Sequence, residues 1–353
     1  MGFKAAKPGV YVVSLLVMAL AVGGGWWAAA LRPDTRPALT SALDVLPAST
    51  TVVGFTHWEG IREHLDLGVV DTSKERAELA NSAKSRDLTT RSVIGRDLQG
   101  MHDLVGWSPA DFEWEVFGQD RVGSADVARL DGSVSFADTR AKLKAAGYRE
   151  DGPIWSAPDR AGIPVVLAHV ALVPRQRLVV MSDQRRPIPD VLDVIAGRSQ
   201  SLAGSQAAAD TAEALAGSDS VILQAGRLAC GTTAVARDAD LERQERTAVE
   251  RAGSLESYRF SGRGLLERGG SGFSAQRLVF AMTFESAAVA SEQARVRARL
   301  STGPFIGRSG SIDDTLRLRS SGVDESTVRL AFAHDPDTDV FMTGTGPALF
   351  ASC

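Results

Sequence analysis

The sequence predicts an α+β body of mostly antiparallel sheet with flanking helices, arranged as two similar duplicated units behind an N-terminal transmembrane or signal helix. Three observations support this. Short runs rich in β-branched and aromatic residues recur between turn residues. Helical stretches that begin at Ser and stop at Gly alternate with them. One order of elements (strand, Ser-capped helix, Gly stop, further strand) occurs twice, at Ala125 to Met181 and at Arg277 to Phe341.

The chain begins with a short N-terminus, 1–8, and then an uncharged apolar run, 9–31. At helical rise about 20 such residues cross a bilayer core. Trp26 and Trp27 stand where the apolar run meets polar chain, the level at which amphipathic rings settle. Lys4 and Lys7 before it balance Arg32 and Arg36 after it, so flanking charge does not orient the segment. Its length favours a retained anchor, which makes the protein single-pass with its C-terminal body outside. The alternative is a signal peptide cleaved near Ala28, Ala29 and Ala30, and a secreted body. In either reading the remainder of the chain is exported. It comprises a two-proline spacer, 32–42, and a body, 43–353, with subdomains expected at 43–215 and 216–353.

Within the body, Thr50 to Trp58 reads as a buried strand and Glu59 to Leu67 as a short helix. Asp71 to Leu88 reads as an exposed helix capped by Asp71 or Thr72. In Gly106 to Gly118, Phe112, Trp114 and Val116 alternate with Glu113 and Glu115, predicting a strand with one wet face. Ala125 to Leu130 continues as strand, and Ser135 caps a helix that Gly147 stops. Pro164 to Val173 and Arg177 to Ser182 read as two strands, succeeded by helices at Ile188 to Ala196 and Gln206 to Ala216. Ser220 to Gly226 returns to strand, and Asp238 to Arg251, poor in apolar residues, predicts a solvated helix. Gly262 to Gly272 is so rich in glycine that it reads as a mobile loop. Arg277 to Phe284, a helix from Ser286, a hairpin of Thr315 to Arg319 with Thr327 to Ala333, and a last strand Asp339 to Thr343 complete the order.

Net charge is −4 with both signs interspersed, and six of the 39 basic residues are Lys. No basic stripe of the kind a phosphate backbone attracts is present, so nucleic acid is not an expected partner. A hydrophobic share of 44% fits a globular body. Cys230 and Cys353 are the two cysteines, and in an exported chain they are expected to pair, against the alternative of two free buried thiols.

No catalytic, cofactor or metal residues are assigned. His57, Glu59, Glu63 and His64 are the densest set of potential ligands, yet on a helix the two imidazoles stand about 10.5 Å apart along the axis, too far to share an ion. His102 and His169 are isolated. Asp335, Asp337 and Asp339 imitate the start of a calcium loop that Val340 and Gly346 then break. Glu113 and Glu115 lie about 7 Å apart along a strand, the span of an inverting glycosidase pair, although two solvated carboxylates are the commoner case. No G-x-S-x-G elbow, Walker loop or dinucleotide fingerprint occurs.

The segments LPASTTVVGFTHW, RLVVMS, SLAGSQAAADTAEALAGSDSVIL and the terminal LFASC resemble uncharacterised exported proteins of actinobacteria, assigned to domains of unknown function. The resemblance brings no catalytic residues. It implies an extracytoplasmic, anchored α+β protein. The expectation is a non-catalytic binding or cell-envelope protein that meets the membrane through its N-terminal helix. An envelope hydrolase with a non-local site and a carrier of a small apolar ligand are the alternatives.

Overall fold

The computed structural model describes residues 36–159, 162–234, 238–307, 309–338 and 348–353. The apolar run 9–31 and the expected strand Asp339 to Thr343 lie outside the described residues. Among the described residues, no helix is long and apolar enough to cross a membrane.

Residues 37–353 pack as one unit around a twelve-stranded sheet in which every paired neighbour is antiparallel. In chain order the strands are β1 (Val52–Thr56), β2 (Phe112–Gln119), β3 (Ser124–Leu130), β4 (Arg149–Asp151), β5 (Ile154–Ser156) and β6 (His169–Val173). They continue with β7 (Leu178–Ser182), β8 (Ser220–Ala225), β9 (Phe260–Glu267), β10 (Gln276–Thr283), β11 (Leu316–Asp324) and β12 (Thr327–His334). The spatial order is β11-β12-β10-β9-β8-β1-β2-β3-β7-β6-β5-β4.

That order repeats. Outward from the central pair, β1-β2-β3-β7-β6 on one side matches β8-β9-β10-β12-β11 on the other, and the first half adds the β4–β5 hairpin at its edge. β1 and β8 meet antiparallel at the seam, with Gly54 opposite Ile222. Each first strand is preceded by a helix, α1 (Ala38–Leu43) and α7 (Gln206–Ala214). Each third strand is succeeded by a Ser-capped helix. In α5 (Phe136–Ala145) Ser135 accepts from the Asp138 N–H, and in α10 (Ala287–Leu300) Ser286 accepts from the Val289 N–H. The repeated unit read from the sequence is therefore present as a repeated topology.

Helices cover both faces. On one, α1, α7 and α6 (Pro187–Ile195) bury Leu43, Ala208 and Val191 against Val53, Phe55 and Val180. On the other lie α2 (Trp58–His64), α3 (Ser73–Ser85), α4 (Leu98–Val105), α5, α8 (Gly226–Thr233), α9 (Ala239–Ala252) and α10. They cover Val179, Met181, Leu278, Phe280 and Phe332. Burial on both faces is why LVVMS and RLVFAMT read as unbroken apolar runs rather than alternating ones.

Several boundaries differ from the sequence reading. The spacer ends early, because Pro37 introduces α1 and the helix puts Leu39, Ala42 and Leu43 on one buried face. In Pro164 to Val173, the proline has no N–H for a ladder, Val165–Leu167 forms a 3₁₀ turn, and the strand starts at His169. Most of the Gly262 to Gly272 stretch is not a mobile loop: Gly262 and Gly264 belong to β9. A Cβ at Gly262 would lie 2.6 Å from Leu223 and 2.7 Å from Leu215, and one at Gly264 2.3 Å from the Ser218 hydroxyl. The glycines let α7 and the chain after it press onto the sheet.

Candidate functional site

Three places in the body gather chemistry-bearing side chains. The first is the neighbourhood of the seam. His57 precedes α2 and His64 ends it. His64 Nδ1 lies 3.0 Å from both carboxylate oxygens of Asp219, a residue ahead of β8 in the other half. The Asp219 carboxylate also accepts the Glu267 N–H at 2.8 Å, and its carbonyl accepts the His57 N–H at 2.7 Å. Glu267 continues the chain, pairing with Arg86 at 3.0 Å and accepting from the Gln276 amide at 3.0 Å. Gln276 in turn meets His334 Nδ1 at 2.7 Å. Burial raises the Asp219 carboxyl to about 6, against the hydrogen bond from Glu267 and the nearby His64. Burial also lowers His57, while Glu63 works in the opposite direction. These groups satisfy one another across the seam, so they serve as a tie between halves. Glu59 and Glu63 remain exposed on α2.

The second place corrects the wet face expected for β2. A bulge between Phe112 and Trp114 shifts the alternation, and the two glutamates part company. Glu113 stays half-buried and pairs with Arg129 at 2.8 Å. Glu115 is 1% exposed and receives three donors: Trp58 Nε1 at 2.9 Å, Ser92 Oγ at 2.7 Å and the Val93 N–H at 2.9 Å. Asp126 on β3 lies beside it, equally buried.

The third place is a cavity of about 930 Å³, formed where α9 runs alongside the end of α10. α9 is capped by Asp238, which accepts the Asp240 and Leu241 N–H groups, and only Ala252 of the helix is buried. The solvated helix read from the sequence is thus correct, but one of its faces looks into a groove. Leu300, Phe305, Ile306, Ile312 and Leu349 form the apolar floor, and Arg243, Arg251 and Arg299 line the cavity with them. Arg243 pairs with Asp240 one turn earlier, and Arg299 donates to the Ala252 carbonyl at 3.0 Å, bracing the two helices.

Among the isolated residues, His102 sits 3.2 Å from an Arg76 nitrogen and 3.7 Å from Asp111, and His169 lies 3.0 Å from Ser156 Oγ. The Asp335 carboxylate accepts the Asp337 N–H at 3.0 Å in an acidic turn; Asp339, Val340 and Gly346 lie outside the described residues. Among the described residues no group of three or more His, Cys, Asp or Glu is placed to hold a metal. Cys230, on α8, and Cys353 form a disulfide with Cα atoms 5.4 Å apart.

No family model matches the chain, and no curated protein matches it. Among solved structures it is similar to crystal form I of TP0453, at 10% identity over 88% of this chain and 94% of that one, with a TM-score of 0.40. It is also similar to crystal form III of TP0453, at 9% identity over 90% and 96% of the two chains, with a TM-score of 0.37. Likenesses this distant say nothing of function.

Proposed function

We propose that the chain is a membrane-anchored extracytoplasmic binding protein whose ligand is an amphiphile with a long apolar body and an anionic head, seated in the groove between α9 and α10. The groove itself carries the reading: an apolar floor and three arginines line one cavity whose volume of about 930 Å³ is that of a generous ligand site. Guanidinium groups recognise carboxylate or phosphate oxygens in a fixed, paired geometry, while the floor removes an alkyl chain from water. The Cys230–Cys353 disulfide supports the extracytoplasmic placement, since such bridges persist in oxidising compartments. Residues 9–31 supply the anchor in this reading.

The test is photolabelling of the full chain in lipid nanodiscs with a diazirine-bearing long-chain carboxylic acid, with the labelled peptides then mapped. Labelling is expected around Ala248 to Ala252 and Leu300 to Ile312, reduced several-fold by Arg251→Glu with Arg299→Glu. Label confined to residues 9–31, or unaffected by the charge reversals, overturns the reading.

A further inference from the structure

A second cavity, of about 890 Å³, lies on the outer strands of the second half and shares no residue with the groove. Its base is the sheet face on which Arg277 of β10 stands opposite Ala333 of β12, and Arg329 of β12 opposite Ala281 of β10. Arg329 Nε donates to the Ala214 carbonyl at 3.0 Å, where α7 ends, and the sheet beyond that helix end, at Ala331 and Ala333, is the floor. A bulge between Leu318 and Ser320 brings Arg319 and Ser320 of β11 to the cavity together, and Arg268 and Phe273 join them from the connection between β9 and β10.

Four arginines, Arg268, Arg277, Arg319 and Arg329, thus line one cavity, and among the described residues no acidic side chain lines it with them. None of the four forms an ion pair with an acid among the described residues, and Arg277 Nε meets no acceptor. Burial lowers the Arg329 guanidinium from its ordinary range and the Arg277 charge lowers it further, so the two cations feel one another across the floor. Arg317 adds a fifth cation beside them, stacked over the Phe273 ring at 3.7 Å from its centroid. Like charges gathered on neighbouring strands repel, at a cost to stability that an anion would offset. The five come from three strands and a connection, which is why no basic run announces them in the sequence.

We infer that this cavity is an anion site for the phosphate group of a phosphomonoester or diphosphate, with the half-buried Arg277 and Arg329 at its base and the exposed Arg268 and Arg319 as the outer cations. A phosphate monoester carries about two negative charges at neutral pH and presents three strong acceptor oxygens. Guanidinium forks meet such oxygens in pairs of parallel hydrogen bonds. A lone carboxylate is a poorer match, because one charge and two oxygens answer four cations. The volume suits a ligand whose organic part rests against Phe273 while its phosphate lies among the arginines. A soluble phosphorylated compound and a phosphatidic acid headgroup offer the same chemistry, so the test separates them.

The experiment uses the full chain in phosphatidylcholine nanodiscs, with empty discs subtracted, and titrates inorganic pyrophosphate and acetate by calorimetry at physiological salt. Pyrophosphate is expected to bind at least ten-fold more tightly than acetate, and Arg277→Met to weaken it at least ten-fold. Arg319→Glu, an exposed change on an edge strand that leaves the fold intact, is expected to weaken it as much, so the test holds if the Met variant does not fold. Arg251→Glu with Arg299→Glu, in the groove beside α9, is expected to leave pyrophosphate binding unchanged. Repeating the titration in discs that carry phosphatidic acid, against discs of matched charge that carry phosphatidylglycerol, distinguishes the sources. A ten-fold loss with phosphatidic acid assigns the site to a lipid headgroup, and equal affinities assign it to a soluble ligand. No pyrophosphate binding at millimolar concentration, affinity equal to that of acetate, affinity unchanged by Arg319→Glu, or equal loss on the groove reversals overturns the inference.

Discussion

Arg297 donates to the Ser352 carbonyl at 2.7 Å, tying the turn at Leu349–Ala351 to the last turn of α10. The same guanidinium reaches the carbonyls of Phe350 at 3.0 Å and Glu256 at 2.9 Å, and it stacks against Tyr258 and Phe284. Burial lowers it to about 10, so at neutral pH it remains a cation held by carbonyl dipoles. Arg297→Met should therefore lower stability by about 2 to 4 kcal/mol, since charged hydrogen bonds are lost and carbonyls are left without donors. Arg297→Lys should recover only part, because an ammonium cannot span the same carbonyls. Denaturant unfolding measures both.

The Cys230–Cys353 bridge closes a separation of 123 residues. In the chain-entropy model a loop of that size is worth about 4 to 5 kcal/mol at most. The Tyr258 hydroxyl at 2.9 Å and the Thr233 hydroxyl at 3.1 Å also hold the Ala351 carbonyl, so the C-terminal turn has anchors besides sulfur. Cys353→Ser is expected to melt at a lower temperature yet still fold. Combined with Arg297→Met, it should lose more than the sum of the single changes, which a double-mutant cycle detects.

Asp219 holds its proton up to about pH 6 in the folded chain, against 3.8 as its ordinary value. Between those values the folded state binds the proton more tightly than the unfolded state does, so this group's contribution to stability declines as pH climbs from about 4 to 6 and is level above. Asp219→Asn removes that decline. Relative to the parent, the variant should gain about 2 to 3 kcal/mol between pH 4 and pH 6.5, read from urea midpoints at each pH. His64→Ala should cost stability at neutral pH by leaving the buried carboxylate without its neighbour.

Asp126 has the same sign, because its carboxyl is raised well above the ordinary range by burial and by Glu115. Stability carried by its proton is present in acid and lost as pH rises. The melting temperature of Asp126→Asn should accordingly rise relative to the parent as the solution is taken from pH 5 to pH 8. A difference that is constant with pH would show that Asp126 does not titrate within the range.

Gly262→Ala should destabilise by about 1 to 3 kcal/mol, since its Cβ would press on Leu223 and Leu215, and α7 must shift to accept it. Gly269→Ala is the control of opposite character. Gly269 lies in the open turn with φ of 73°, where nothing crowds a Cβ and only backbone strain opposes the change.

What the sequence revealed and what it concealed divide along physical lines. Local chemistry was legible. Ser135 and Ser286 announce helix starts through their own hydroxyls, Thr72, one of the two caps expected, caps its helix, and the two cysteines pair. The duplicated order could be read because each copy of the unit carries its own caps and glycine stops. Residues whose role depends on the opposite face or the other half were concealed. Glu115 looks like a solvated partner of Glu113 until a bulge and α2 bury it beneath Trp58. Asp219 stands in a turn sequence, and nothing local links it to His64, 155 residues away. Gly262 and Gly264 carry a loop's composition, although packing by α7 is what requires them. The groove was missed for the same reason: the polarity of α9 describes its outer surface, and its inner face acquires meaning only beside Leu300 and Phe305.

The seam between β1 and β8 gives the body a mechanical character. Because the two halves join through a ladder of main-chain hydrogen bonds rather than through a flexible connector, they cannot swing open like the jaws of a hinged receptor. In the binding role proposed above, entry to the groove beside α9 proceeds by small adjustments of the helices lying on the sheet.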